Sequence, residues 1–281
     1  VSWQLMKDSA FSNKESTAII GTKKLIYYTV YGESYIKLFE KSLESLLEKK
    51  SKDFDVLVIC DLATKIEIKK LPIFKNKDCN VFFHSVEIPV DGIEASMNKT
   101  KIFDYEHIDD YSHILFLDCD IIAIKDVYSL FDKLTNSEKF YCICNPSVNS
   151  GGYLGMYHGL NYNKEEVFEM AVKQRQKPFN AGQFAFLNSS RMRRHFLNIN
   201  SFINNWNGPY FFEQVFMNIY FLYGNCCDNI LSNFVCLANA SVNNLEEKHS
   251  PDDVLIHFIA PALSGEVKLD YLTRYFNAHQ S

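Results

Sequence analysis

The sequence predicts an α/β fold: one domain built on a mixed, mainly parallel sheet with helices on its faces. Two observations carry this. Short, uninterrupted apolar segments such as Asp55–Cys60 (DVLVIC) and His113–Leu117 (HILFL) alternate with segments whose apolar residues recur at helical spacing. That alternation is the pattern of strand–helix units with helices covering a sheet. Both apolar segments also stop on a carboxylate, Asp61 in one case and Asp118 in the other. Ligands of such sheets gather beyond the carboxyl ends of the strands.

Lys24–Val30 (KLIYYTV) is rich in β-formers and opens the sheet. Glu33–Lys50 follows as a helix, with Ile36, Phe39, Leu43, Leu46 and Leu47 on one stripe. Asp55–Cys60 is apolar on both faces, as a buried parallel strand is. Val81–His84 reads as a strand, Met97–Ile108 as a helix and His113–Leu117 as a strand. Tyr128–Leu134 is a short helix and Phe140–Cys144 a further strand. Asn145–Asn163 carries Gly151, Gly152, Gly155, Gly159 and three tyrosines, and reads as a long loop of the functional kind. Phe179–Leu187 is a strand, and Ser190–Asn204 and Phe211–Tyr223 are helices. Leu255–Ile259 is a last strand before a Pro/Gly turn. The carboxyl-end rule sets Thr29, Asp61 and Asp118–Asp120 along one rim.

Composition narrows the function. The chain has 281 residues, 47% hydrophobic and 22% charged, which is a folded chain rather than a disordered one. Its 29 basic and 34 acidic residues leave a net charge of −5, without the basic excess of a nucleic-acid binder. No segment approaches the roughly 20 apolar residues that span a bilayer. The eight cysteines include no C-x-x-C pair, so zinc-ribbon and thioredoxin spacings are missing. Cys60, Cys142 and Cys144 lie in apolar strands and read as reduced, buried thiols. That favours a reducing compartment: the cytoplasm, or a soluble domain of a larger protein. Three sequons, at Asn98, Asn188 and Asn239, have meaning only in a secretory setting.

The sharpest chemical feature is Asp118-Cys119-Asp120, at the end of an apolar strand. Carboxylates at i and i+2 share a strand face and repel unless a cation lies between them. A hard divalent ion with oxygen ligands relieves that repulsion. The plainer alternative is a pair of solvated turn acids, but Ile121-Ile122 follows at once and leaves little water there. His257, in LIHFIAP, is either a hydrogen-bonded core histidine or a third ligand, one that suits Mn²⁺ better than Mg²⁺. Lys99 and Lys101 are either solvated helix charges or cations set to meet a diphosphate. Asn180-Ala181-Gly182 is either a turn or a polar amide and bare backbone facing a sugar. Glu213-Gln214 either complements a helix dipole or lines a polyol site.

Taken together, these segments resemble family 8 of the retaining glycosyltransferases, which have the GT-A fold, a Rossmann-like sheet flanked by helices. The matches run in family order from about Lys24 to Gly265. Lys24–Tyr35 is similar to the first strand and nucleotide-contacting turn. Thr100-Lys101-Ile102 resembles the family's Thr-Lys-Leu, whose lysine approaches the donor. Phe116–Asp120 resembles the metal-binding D-x-D, Phe179–Gly182 the Asn-Ala-Gly strand, Glu213-Gln214 the Asp-Gln pair and His257-Phe258 the third metal ligand. Two positions depart from the family: Leu263 stands where a diphosphate-contacting lysine is expected, with Lys268 five residues on, and Glu213 replaces an aspartate.

The resemblance implies metal-dependent transfer of a hexose from a UDP-sugar to an acceptor hydroxyl, with the anomeric configuration retained. It implies a metal, Mn²⁺ with Mg²⁺ as the alternative, on Asp118, Asp120 and His257. It implies donor contacts from Thr29, Val30, Tyr35, Lys101, Cys119, Asn180, Ala181 and Gly182. Catalytic work falls to Gln214, Glu213, Asn180 and Lys101. Residues 23–281 form the transferase domain after a lead-in over 1–22, with a nucleotide half to about 145 and an acceptor half beyond it. The acceptor class (glycan, lipid-linked or protein) and an oligomeric state stay open. Two rival functions also remain: a non-catalytic sugar-nucleotide-binding scaffold, and a metal-dependent nucleotide-sugar hydrolase. The second would need further clustered carboxylates, for which Asp126 is the nearest candidate in sequence.

Overall fold

The computed structural model describes residues 17–75, 80–144, 178–205, 213–224, 226–239, 250–259 and 265–279. The Asn145–Asn163 loop, the turn after Ile259 and Leu263 lie outside the described residues.

The elements follow the apolar pattern of the chain. They are β1 (Lys23–Thr29), α1 (Glu33–Glu48), β2 (Asp55–Cys60), α2 (Leu62–Ile68), β3 (Val81–Ser85), α3 (Gly92–Met97) and β4 (Tyr111–Leu117). Then come β5 (Ile121–Ala123), α4 (Tyr128–Phe131), β6 (Phe140–Cys144), β7 (Phe179–Leu187), α5 (Ser190–Asn204) and α6 (Glu213–Tyr223). The described chain ends with β8 (Cys227–Asp228), β9 (Val235–Asn239), β10 (Leu255–Ile259) and α7 (Gly265–His279). Seven strands form one sheet in the order β3-β2-β1-β4-β7-β6-β8, and three form a second, β5-β10-β9. Strands β3, β2, β1 and β4 run parallel, and β7 is antiparallel to both β4 and β6. The expected mixed, mainly parallel sheet flanked by helices is therefore the observed one.

Strand periodicity sorts the core onto two faces. Ile26, Tyr28, Val56, Val58, Leu115 and Leu117 point to the side covered by α1, α7 and the small sheet. Leu25, Tyr27, Leu57, Ile59, Ile114 and Phe116 point to the side covered by α5, α6 and the segment before β4. That second face is unusually aromatic, with Phe140 stacked on Phe221 at 3.9 Å and Phe116 on Phe184 at 4.8 Å between ring centroids.

Two local expectations are corrected. Met97–Ile108 is not an α-helix: α3 ends at Met97, and Asn98–Asp104 and Ile108–Asp110 are 3₁₀ turns. Tyr128–Leu134 closes after a single turn at Phe131. Just before β1, Ile19 bridges Ser189, Ile20 N donates to Asn188 O and Thr22 N donates to Asp110 O. Among the described residues no helix is long and apolar enough to cross a membrane.

Among the described cysteines, Cys60, Cys119, Cys142, Cys226 and Cys227 are free thiols, and all of these but Cys227 are buried. Asn98 and Asn188 are buried as well, and Asn188 Nδ2 donates to the carbonyls of Ile108 and Tyr111. Both are held inside the fold, where a glycan has no room.

Candidate active site

The site forms where the chain leaves one sheet for the other. After β4, Asp118 N still donates to Gly182 O (2.7 Å), so the ladder with β7 persists one residue past the strand. Cys119 and Asp120 make the turn, Ile121 N donates back to Asp118 O (3.2 Å), and β5 joins the small sheet. There His257 of β10 stands opposite Ile121, and Phe258 N donates to Asp120 O (3.0 Å). The pairing of β10 with the start of β5 thereby brings an imidazole to the D-x-D turn. His257 Nε2 lies 3.3 Å from Asp120 Oδ1. One ligand atom from each of Asp118, Asp120 and His257 falls within 4.8 Å of the others.

Gly182 makes this convergence feasible. A Cβ there would lie 2.3 Å from His257 Cε1 and 2.8 Å from Asp118 Oδ2 and Asn180 Oδ1. The bare backbone thus forms the floor between the ligand residues, and Asn180 Oδ1 accepts its N–H at 2.7 Å. The β6–β7 register shifts at this point, between Cys142 and Ile143, so β7 bulges where Ala181 and Gly182 face the site.

A lysine serves each carboxylate. Lys99 Nζ lies 3.0 Å from Asp118 Oδ1 and 2.6 Å from Glu213 Oε1, over the face of Phe116 at 5.0 Å. Lys268 Nζ, from the first turn of α7, lies 2.6 Å from Asp120 Oδ2. Burial alone would lower the Lys99 amine, but Asp118 and Glu213 outweigh it and raise its pKa. Burial pushes the Asp118 carboxyl up, against the pull of Lys99. Burial acts on Asp120 in the same sense, yet His257 and Lys268 prevail and hold it well below the usual carboxylate range.

Above this floor lies a cavity of about 500 Å³, a size suited to a small ligand. Thr29, Val30, Tyr35, Asp118, Cys119, Asp120, Glu213 and Gln214 line it, all of them expected from the sequence. Gly32, at φ 83°, takes a conformation that favours glycine and turns β1 into α1, which sets Tyr35 at the mouth. Cys119 Sγ is buried and donates to Thr29 O at 3.5 Å, so its thiol points inward and ties the D-x-D turn to β1. Gln214 Oε1 accepts from Ala181 N at 3.0 Å. Asn180, Ala181, Gly182 and His257 stand beneath the lining, around the Gly182 floor.

Lys101 is the expected donor residue that is not brought to the cavity; Lys99 takes that place. The 3₁₀ turn is the reason. With three residues per turn, positions i and i+3 share a face. Lys99 shares a buried row with Ile102 and Tyr105, Thr100 and Phe103 are buried on the next row, and Lys101 falls on the third, with the exposed Asp104. Asn218 is a site residue that the motifs do not point to. Its Oδ1 accepts from Phe179 N (2.8 Å), and its Nδ2 donates to Phe179 O and Gln214 O (both 2.9 Å), which clamps α6 to β7. Its signal was the four-residue spacing from Gln214, one helical face. Asp61 reaches the rim as expected, but its carboxylate caps α2 through Thr64 N and Oγ1.

The three ligand residues fit a divalent cation. Asp120 Oδ1 and His257 Nδ1 are buried without a hydrogen-bond partner. A donor set of two carboxylates and an imidazole suits Mn²⁺. Asp126 takes no part: it pairs with Ser51 and caps Tyr128 N. Asp118, Asp120 and His257 form the metal-competent cluster among the described residues.

The two-sheet fold with an acidic turn at its switch point matches that of solved GT-A glycosyltransferases. Residues 27–262 match the family described as Glycosyl transferase family 8, and the chain belongs to that family and is a glycosyltransferase. Comparison with curated proteins gives no match. Among solved structures, the chain is similar to the galactosyltransferase LgtC in complex with donor and acceptor sugar analogs (TM-score 0.59, 14% identity, 89% of this chain and 95% of that one). It is also similar to the apo form of mouse xyloside xylosyltransferase 1 (TM-score 0.53, 12% identity, 87% and 100%). A third similarity is to the bifunctional glycosyltransferase WbbM (TM-score 0.56, 10% identity, 93% of this chain), of which this chain spans about half, 52%. At these identities the structural likeness speaks for the fold.

Proposed function

We propose that this protein is a retaining, metal-dependent hexosyltransferase that moves a sugar from a UDP-sugar to an acceptor hydroxyl. The observation that carries this reading is the convergence of Asp118, Asp120 and His257 at the floor of the cavity. These three residues would hold Mn²⁺, with Mg²⁺ as the weaker alternative because of the imidazole. The bound ion supplies Lewis-acid stabilisation of the charge that grows on the departing diphosphate.

This chain's own residues do the rest. Thr29, Val30 and Tyr35 form the wall that fits the uridine, at the carboxyl end of β1. Lys99 adds a fixed positive charge to the donor side, and such preorganised charge is a large contributor to catalysis. Gln214 and Glu213 face the sugar from the start of α6. Glu213 is tied to Lys99 at 2.6 Å, which makes it a poor free nucleophile. That favours front-face attack, in which the departing phosphate takes the acceptor's proton, over a covalent glycosyl-enzyme. Acceptor recognition falls to the C-terminal half, as part of a single transferase domain. The acceptor is a glycan, or a lipid-linked or protein hydroxyl. Free, buried thiols and buried sequons support a reducing compartment, either the cytoplasm or a soluble domain of a larger protein.

UDP release from a panel of UDP-hexoses tests the donor class, and proton NMR of the product anomer tests retention. One productive donor and an α-linked product are expected. An inverted product would overturn the stereochemical part, and release from no donor the whole reading.

A further inference from the structure

Lys268 adds a second ammonium to a site that already has one. Three carboxylates, Asp118, Asp120 and Glu213, meet two ammonium groups, Lys99 and Lys268. Lys99 spans two acids from the 3₁₀ turn, whereas Lys268 serves Asp120 alone and lines the cavity. Its side chain is 13% exposed and the Asp120 side chain 5%, so the pair is shielded from water. The position is built in. A Cβ at Gly265 would lie 2.4 Å from Ser34 Oγ, so only a bare backbone lets the start of α7 press on α1. Lys268 follows three residues later, on the face turned to Asp120 and Tyr35.

We infer that Lys268 makes metal binding conditional on the diphosphate. Each carboxylate of the D-x-D gives one oxygen to a lysine: Asp118 Oδ1 to Lys99 and Asp120 Oδ2 to Lys268. The other oxygens, Asp118 Oδ2 and Asp120 Oδ1, face Gly182 and His257. A divalent cation entering there adds two positive charges beside two ammonium groups that just fail to balance three carboxylates. The site passes from net negative to net positive. With Lys268 present, metal alone is therefore disfavoured, and metal together with a dianionic diphosphate is favoured. The ammonium of Lys268, no longer needed by an Asp120 that serves the ion, is then free to turn to a phosphate oxygen. Linkage requires that the diphosphate tighten metal binding by the same factor as the metal tightens diphosphate binding. This inference rests on the metal site proposed above.

The test is calorimetric titration of Mn²⁺ into the full chain, with and without saturating UDP, for wild type, Lys268→Met and Lys268→Arg. Without UDP, Lys268→Met is expected to bind Mn²⁺ about fivefold tighter or more than wild type, a typical coupling factor. UDP should tighten Mn²⁺ binding in wild type and in Lys268→Arg by a larger factor than in Lys268→Met. Equal or weaker Mn²⁺ binding by Lys268→Met without UDP overturns the inference while leaving the metal site intact. Absence of Mn²⁺ binding to all forms, with or without UDP, overturns the metal-dependent reading itself, and this inference with it. Should Lys268→Met fail to fold, Lys268→Gln, uncharged and still a hydrogen-bond donor, takes its place in the same comparison.

Discussion

The ammonium of Lys99 lies 2.6 Å from the carboxylate of Glu213, and their side chains are only 10% and 4% exposed. A buried pair of this kind is costly to break from one side, because the remaining charge has no water to lean on. Lys99→Met should destabilise the protein by about 3–5 kcal/mol. The double variant Lys99→Met/Glu213→Gln should recover much of that loss without recovering donor turnover. Urea unfolding of the single and double variants checks the first part, and UDP release the second.

Gly182→Ala should spare the fold and ruin the site. The added methyl would press on His257, Asp118 and Asn180, all of them site residues rather than core. Melting within a few degrees of wild type, with Mn²⁺ affinity down by at least about tenfold as ligand geometry loosens, is the expected pair of results. Retained Mn²⁺ affinity would mean that His257 does not meet the two aspartates in the bound form.

Lys101→Ala should leave the KM for the donor within about twofold, as a substitution away from the packed site does. Lys99→Ala in the same assay should lower kcat steeply. The reverse ranking would restore Lys101 to the donor side.

That ranking also shows what the sequence could and could not tell. The D-x-D was legible because an apolar strand, HILFL, ends abruptly on two acids. His257 was legible because a lone imidazole interrupts an equally apolar strand, LIHFI. The choice between Lys99 and Lys101 was not, because it turns on whether the segment winds at 3.6 or 3.0 residues per turn, and hydrophobic pattern does not separate the two over seven residues. Short edge elements escaped for a similar reason. β5 and β8 have three and two residues and exist only through their partners, β10 and β6. Lys268 was noticed only as a neighbour of Leu263; its contact with Asp120 depends on α7 docking against α1 through Gly265.

Stability should fall as the solution is acidified from pH 6.5 towards pH 4. Burial pushes the His195 imidazole, packed against Tyr220, down to about 4. The unfolded chain takes up that proton near pH 6.5, so between the two values it binds more protons than the folded chain. The stability is complete above the unfolded value and lost as pH falls through the window. The full loss is roughly 3 kcal/mol for this one group. His195→Gln should flatten the decline, as read from urea midpoints at pH 7.5, 5.5 and 4.5; an unchanged slope would assign the acid sensitivity elsewhere.

The most direct measurement is UDP release from the productive donor with Mn²⁺ and then with excess EDTA, on wild type and Asp120→Ala. Wild type should release UDP with Mn²⁺ and cease to in EDTA, and Asp120→Ala should lose at least about a hundredfold at any Mn²⁺ concentration. Undiminished release in EDTA, or a fully active Asp120→Ala, would contradict a metal centre on Asp118, Asp120 and His257.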